Sequence, residues 1–419
     1  MKTQPYLESK KLSRLIFFAC FAAYAASYVG RIDYSAALPA IIESGLFTKS
    51  EGGLIGSAFF FVYGGFQIIN GILGDKLSPF KMIITGLSLS CIANITMTFC
   101  KTNIQMAVVW GFNGFALSLL WASILKILAN IINDGMRSKA CLNISATLPV
   151  GTVFAYLLAS VSVKYFSWKI VFLSSAAVLF CALLFFVYSY LRVKNSITLR
   201  TVEAPSNSIK EKTPGKNFKL LPLLLLGGIF IILPADAIHG AIKEGITTWV
   251  PTMITEIYDT SVSFSVFVSI ALPVINLSGA YIITPVYNKI FKKNEIKTGC
   301  AILLFTSIPL AITIFMKNLP VLLSVVLLAV ITTAMHTYNY MIITLVPMRF
   351  AYAGKTATVT GIMNATAYVG CAAASYGFGV ISDRIGWTGT AVVWLGLCIV
   401  ALLLTVAASP KWTKFIKSI

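Results

Sequence analysis

Apolar runs of about twenty residues, the length an α-helix needs to cross a bilayer core, recur along the whole chain between short polar breaks. The pattern predicts twelve membrane helices, over 14–38, 51–74, 81–100, 104–132, 138–163, 168–191, 219–250, 262–288, 298–316, 319–347, 355–380 and 387–409. One polar break is long. Residues 192–219 carry Pro205, Ser206, Pro214 and Gly215 and divide six spans from six. The expected architecture is therefore all-α and multi-pass. It comprises an N-terminal six-helix bundle over 1–191, a linker over 192–218 and a C-terminal six-helix bundle over 219–419. Residues 1–13 are polar and basic, and no cleavage pattern follows the first apolar run, so that run is read as a retained helix.

Composition narrows the class. Of 419 residues, 58% are hydrophobic and 11% charged, and mean hydropathy is +0.85. Soluble domains carry about 25% charged residues, so this chain lacks the polar surface to stay in water. Two His and eight Cys, with no Cys-x-x-Cys or ligand-like spacing, predict no metal site and no cofactor. No phosphate-binding glycine loop or catalytic constellation points to an enzyme. The net charge of +19 could suggest nucleic acid, but its distribution argues otherwise. With the N-terminus inside, 24 Lys and Arg fall in inner segments and 6 in outer loops. This positive-inside bias places both termini and the linker in the cytoplasm, and a nucleic-acid partner is not needed.

Three cations remain, all within predicted spans: Arg31, Lys126 and Lys243. A charge in hydrocarbon is costly and faces a cavity or a partner. Arg31-Ile-Asp-Tyr-Ser-Ala-Ala-Leu-Pro39 closes the first span, and Lys243-Glu-Gly-Ile-Thr-Thr-Trp-Val-Pro251 closes the seventh. In each, a cation stands eight residues before a proline, 212 positions apart, as expected of two repeated halves with a site between them. Arg31 and Lys243 are thus expected to face one another across a central cavity.

Other candidates follow from helical spacing. Tyr24, Tyr28 and Arg31 share a face, as cavity lining or as packing. Asp33 is a nearby partner for Arg31 if that charge is structural. Asp236, His239 and Lys243 share a face, so Asp236 or His239 could carry a coupling proton or line the cavity. Glu244 lies on a neighbouring face and could pair with another helix. Lys126 either snorkels to the inner surface or faces the cavity. Polar stripes of Thr333, His336 and Tyr340, and of Thr360, Asn364 and Tyr368, suit either a water-filled path or interhelical hydrogen bonds.

Gly71-Ile-Leu-Gly74-Asp75-Lys76, between the second and third spans, resembles the Gly-x-x-x-Asp-Arg/Lys loop of the major facilitator superfamily. Tyr24-Ala-Ala-Ser-Tyr28-Val-Gly-Arg31, Tyr63-Gly64, Gly245-Ile246, Trp249, Pro251, Gly354-Lys355-Thr356-Ala357 and Gly386-Trp387 resemble its organophosphate:phosphate antiporters. That resemblance implies two pseudo-symmetric six-helix bundles, with Gly71, Asp75 and Lys76 in a conformational loop. It also implies a phosphate-binding arginine pair, matched by Arg31 and, with lysine in place of arginine, by Lys243. Leu148, Gln67, Ile32 and Thr248 stand where relatives have histidine, lysine, lysine and an acid. The expected function is a secondary transporter of a small organic anion, an organophosphate exchanged for inorganic phosphate. The rivals are a proton-coupled symporter of an organic acid, using Asp33, Asp236 or Glu244, and a non-transporting ligand sensor. The expected setting is a bacterial inner membrane, with a monomer whose partners are the anion and the lipid bilayer.

Overall fold

The computed structural model describes residues 2–202 and 220–418. The side chains of 2–5, 68, 71–76, 138 and 199–202 lie outside that description. The N-terminal half contains α1 (Lys10–Glu43), α2 (Lys49–Lys76), α3 (Pro79–Met97), α4 (Asn103–Asn130), α5 (Asp134–Tyr165) and α6 (Trp168–Val193). The C-terminal half contains α7 (Leu220–Leu226 and Ile229–Tyr258), α8 (Val262–Lys289), α9 (Glu295–Thr313) and α10 (Val321–Ala353). A 63-residue helical stretch completes it, divided at Gly386 (φ 70°, ψ −177°) into α11 (356–385) and α12 (387–418). Among the described residues, nine helices, or ten with the two pieces of α7 taken as one, are long and apolar enough to cross a membrane, α11 and α12 counting as one stretch.

Most helices outrun their apolar cores. The first span, expected over 14–38, runs from Lys10 to Glu43, and the seventh, expected to end at 250, runs to Tyr258. Hydropathy marks the hydrocarbon edge, whereas backbone pairing continues until a cap or a break stops it. Ser9 opens α1 by accepting from the Leu12 amide at 3.4 Å. Thr102 and Gln105 form a capping box at α4. Asn294 opens α9 by accepting from the Lys297 amide at 3.0 Å. The seventh crossing is broken near its start, where Gly228 takes a left-handed conformation (φ 68°) and the two pieces bend by 77°. Pro39 in α1 and Pro251 in α7 occupy matching places in the two halves.

The first residues of the expected linker are structured. Arg192 and Val193 belong to α6, and β2 (Thr198–Val202) pairs antiparallel with β1 (Lys2–Tyr6). This ribbon ties the start of the chain to the exit of α6 and marks what we call the terminal end of the bundle. The remainder of the predicted linker lies outside the described residues.

Inside the C-terminal half, α7 and α11 touch backbone to backbone. A Cβ at Gly370 would sit 1.8 Å from the Ala237 carbonyl oxygen, and one at Gly240 2.3 Å from that of Ala367. Only glycine allows this approach. Large apolar side chains such as Phe61, Phe99 and Tyr281 point outward, as lipid-facing residues do.

The halves meet through α1, α2 and α5 on one side and α7, α8 and α11 on the other. One group of polar contacts lies at the far end, opposite the ribbon. Lys49 Nζ lies 2.9 Å from Glu256 Oε2 and 3.8 Å from Asp383 Oδ1. The Ser50 amide and hydroxyl donate to Asp383 Oδ2 at 2.8 and 2.5 Å, and the Trp387 indole donates to Glu256 at 2.7 Å. Ser160 and Ser263 exchange hydroxyl-to-carbonyl bonds of 2.8 and 2.9 Å between α5 and α8. Ser57 donates to the Ala372 carbonyl at 2.7 Å between α2 and α11. The far end is therefore latched shut.

Candidate functional site

Midway along the bundle, α1 and α7 bring three charges together. An Arg31 guanidinium nitrogen lies 3.3 Å from Glu244 Oε1, and Lys243 Nζ lies 3.2 Å from the same oxygen. The three side chains are 11%, 13% and 14% exposed for Arg31, Glu244 and Lys243 respectively. Adjacent helix positions point about 100° apart, so Glu244 is free to face α1 while the long Lys243 stem curls back to it. One carboxylate thus serves two cations from opposite halves, and the cluster keeps a surplus positive charge.

Aromatic rings enclose Arg31. Its guanidinium carbon lies 5.8 Å from the Tyr28 ring centre, 5.7 Å from Phe59, 5.5 Å from Phe60 and 5.4 Å from Tyr63. Each such contact contributes up to about 2 kcal/mol once water is excluded. The rings hold the cation in a low-dielectric position without cancelling its charge. Tyr63 also meets Tyr368 of α11 at 5.1 Å, while Tyr24 packs on Tyr28 at 5.3 Å and stacks on Trp121 at 4.8 Å. Gln67, one turn beyond Tyr63, donates to its hydroxyl at 3.4 Å and leaves its own carbonyl oxygen buried without a partner among the described residues.

Two small cavities flank Arg31. One of about 20 Å³ is bordered by Tyr34, Phe59, Trp110, Glu244 and Thr248. The other, of about 10 Å³, is bordered by Tyr24, Ser27, Tyr28, Tyr63 and Leu117. Either is the size of a single water. A roomier depression of about 700 Å³ lies between α2 and α4, but its lining from Leu54 to Phe115 is apolar and belongs to the lipid-facing surface.

The structure sorts the remaining candidates. Tyr24, Tyr28 and Tyr368 stand around the cluster as described. His336 is half-buried on α10, within electrostatic reach of Glu244 and Lys243. Tyr340 and Asn364 are half-buried on α10 and α11, and Tyr340 opens a π-helical turn over Tyr340–Leu345. Thr333 is committed to packing, donating to Asn276 Oδ1 of α8 at 2.8 Å. Lys126 donates to the Leu77 carbonyl at 3.5 Å, at the terminal-end turn after α2. Gly71, Asp75 and Lys76 close α2, and their side chains lie outside the described residues.

Asp33, Asp236 and His239 are placed apart from the cluster. Asp33 is not the partner of Arg31. It is 1% exposed, accepts from the Tyr34 amide at 2.8 Å and lies beside Ser175 of α6, because residues two apart on a helix point in different directions. Asp236 and His239 share a face with Lys243, yet both are fully buried. They pair with each other at 3.2 Å, and His239 packs on Tyr338 at 5.4 Å, inside the C-terminal half. Glu244 pairs with a neighbouring helix, as its face suggested: it meets Arg31 of α1 and so joins the central cluster. Phe59 and Phe60 were not singled out by sequence reasoning, although Phe59, Tyr63 and Gln67 stand at four-residue spacing on one face of α2.

The profile of the Major Facilitator Superfamily matches residues 16–375. The chain belongs to this superfamily. Within the Major Facilitator Superfamily it is 24% identical over 410 residues to the glycerol-3-phosphate transporter of Bacillus subtilis (strain 168), covering 94% of this chain and 91% of that one. A probable hexose phosphate transport protein of Chlamydia muridarum is 25% identical over 154 residues, 37% of this chain and 34% of its own. The membrane sensor protein UhpC of Salmonella typhimurium is 30% identical over 102 residues, 24% of this chain and 23% of its own. Among solved structures, a bacterial homologue of the lysosomal transporter Spinster, inward-facing and unoccupied, superposes with a TM-score of 0.74. It shares 13% identity and 98% coverage of both chains. The Major Facilitator Superfamily fold accounts for the paired bundles. The chain is a transporter-family membrane protein and not an enzyme.

Proposed function

We propose that this protein carries a small organic anion, an organophosphate exchanged for inorganic phosphate, by alternating access in a bacterial inner membrane. One observation supports this reading above all: Arg31 and Lys243, one from each half, converge on a single anionic oxygen at 3.3 and 3.2 Å. An anion placed there is shared by both halves, so its arrival and departure are tied to their relative motion. The phosphate-ester relatives favour the organophosphate as cargo. Lys243 supplies a point charge rather than a fork, leaving Arg31 as the directional partner of a phosphoryl group.

In this reading both termini are cytoplasmic, as the 24-to-6 cation bias requires, and the latched far end faces outward. The protein acts as a monomer in the bilayer, and its excess of cations serves membrane orientation rather than nucleic acid. A cysteine at Thr48, in a cysteine-free background, should react with an impermeant reagent in sealed cells, and one at Ser208 should not.

The functional test is uptake into proteoliposomes. Vesicles preloaded with inorganic phosphate should take up labelled glycerol 3-phosphate or a hexose phosphate faster than empty vesicles, with little response to a pH gradient. Uptake into empty vesicles driven by outside acid would instead indicate proton symport of an organic acid. The likeness to UhpC supports a second reading, a sensor; binding of a phosphoester without flux in any vesicle would select it.

A further inference from the structure

The central cluster contains its own anion. Glu244 occupies the position between Arg31 and Lys243 that a transported anion needs, and its two ion pairs differ in kind. Lys243 and Glu244 are neighbours on α7, so their pair travels with the C-terminal half. Arg31 belongs to α1, so its bond to Glu244 crosses between the halves at mid-membrane. Cage and cavities agree: Arg31 is held by rings of α1 and α2, and the spaces beside it have room for water alone. An anion can therefore reach Arg31 only where Glu244 yields.

We propose that Glu244 is a tethered anion that locks the two halves together through Arg31, and that cargo enters by displacing it from that cation. The inference rests on the transport reading above and sharpens its substrate class. A tethered carboxylate competes at a high effective concentration. A free monocarboxylate offers Arg31 nothing Glu244 does not already supply, and it must also be immobilised on binding. A phosphoryl group brings up to two charges and three oxygens, so it can accept the guanidinium fork and bridge to Lys243 at once. Glu244 thus selects for phosphoryl head groups over monocarboxylates. It also holds the unloaded protein in one orientation, since breaking its bond to Arg31 without replacement leaves a buried charge unpaired. Exchange, rather than net flow, is the result.

The test places spin labels at Lys101 and Lys317, exposed far-end positions on the two halves, in the full-length protein in nanodiscs. Distances are read with no added anion, with inorganic phosphate and with acetate. Wild type should show a short distance that lengthens with phosphate and ignores acetate. E244Q should show the longer distance without any anion, and its preference for phosphate over acetate should fall by about tenfold or more. The charge-swapped pair R31E/E244R, which again joins the halves by an ion pair, should restore the short distance; a purely steric role for Glu244 would not be rescued. Identical anion-free distances in wild type and E244Q would overturn the lock, as would a swapped pair that behaves like E244Q. Should E244Q not fold, recovery of folded R31E/E244R supports the lock and its loss contradicts it. A wild type that ignores phosphate defeats the phosphate-ester reading, while the anion-free comparison still decides the lock.

Discussion

Two charge clusters join the halves of this protein, and they balance in opposite directions. At the far end, one cation, Lys49, faces two carboxylates, Glu256 and Asp383, with side chains 16%, 33% and 28% exposed. The surplus negative charge there is met by neutral donors: the Ser50 amide and hydroxyl and the Trp387 indole. At the centre, two cations face one carboxylate, all nearly buried, and the surplus positive charge is surrounded by rings that carry no charge of their own. The first cluster is complete, the second is not. Completeness suits a latch, which must close on itself. Incompleteness suits a binding site, which must hold out for something from outside.

The comparison is tested hardest by removing the directional cation. Arg31→Ala should weaken binding of inorganic phosphate by at least about thirtyfold, the loss expected when a hydrogen-bonded charge is taken from a desolvated anion. Retention of binding would move the site elsewhere. Lys243→Arg keeps the charge and adds a fork, so affinity for phosphate should stay within about tenfold of wild type, shifted toward tighter binding. Abolished binding in a folded Lys243→Arg protein would mean that the lysine is matched to a different anion. Asp383→Ala attacks the latch instead. Because the pair is partly exposed, it should cost about 1 kcal/mol or less. The effect should be roughly a fivefold drop in far-end closure, read by disulfide trapping between cysteines at Lys101 and Lys317, with phosphate affinity little changed. The smallest effect belongs to Asp236→Asn. Its partner His239 lies outside the cluster, so the pH profile of exchange should not move, and a lost pH response would make that pair a coupling site.

Much of this was legible along the chain. Apolar runs marked the helices, and the shared spacing from Arg31 to Pro39 and from Lys243 to Pro251 anticipated that the two cations converge. What escaped depends on how helices rotate about their own axes. Asp33 is near Arg31 in sequence but points to α6, whereas Glu244 is distant in sequence and meets it. His239 and Lys243 share a helical face, yet that face spans both packed core and cavity, and periodicity cannot say where one gives way to the other. The ring cage draws on Phe59 and Phe60, which carry no polar group for a sequence pattern to mark. The bend at Gly228 was hidden because hydropathy records composition and not backbone direction.

The central claim is that cations from opposite halves share one anion, and a double-mutant cycle on phosphate binding measures that sharing. The four proteins are wild type, Arg31→Ala, Lys243→Gln and the double variant, titrated calorimetrically with inorganic phosphate under one buffer. If both cations grip the same anion, the two losses should fall short of adding by about 1 kcal/mol or more, because removing either one already dismantles the site. Losses that add to within about 0.5 kcal/mol would show two independent positions and would contradict the account.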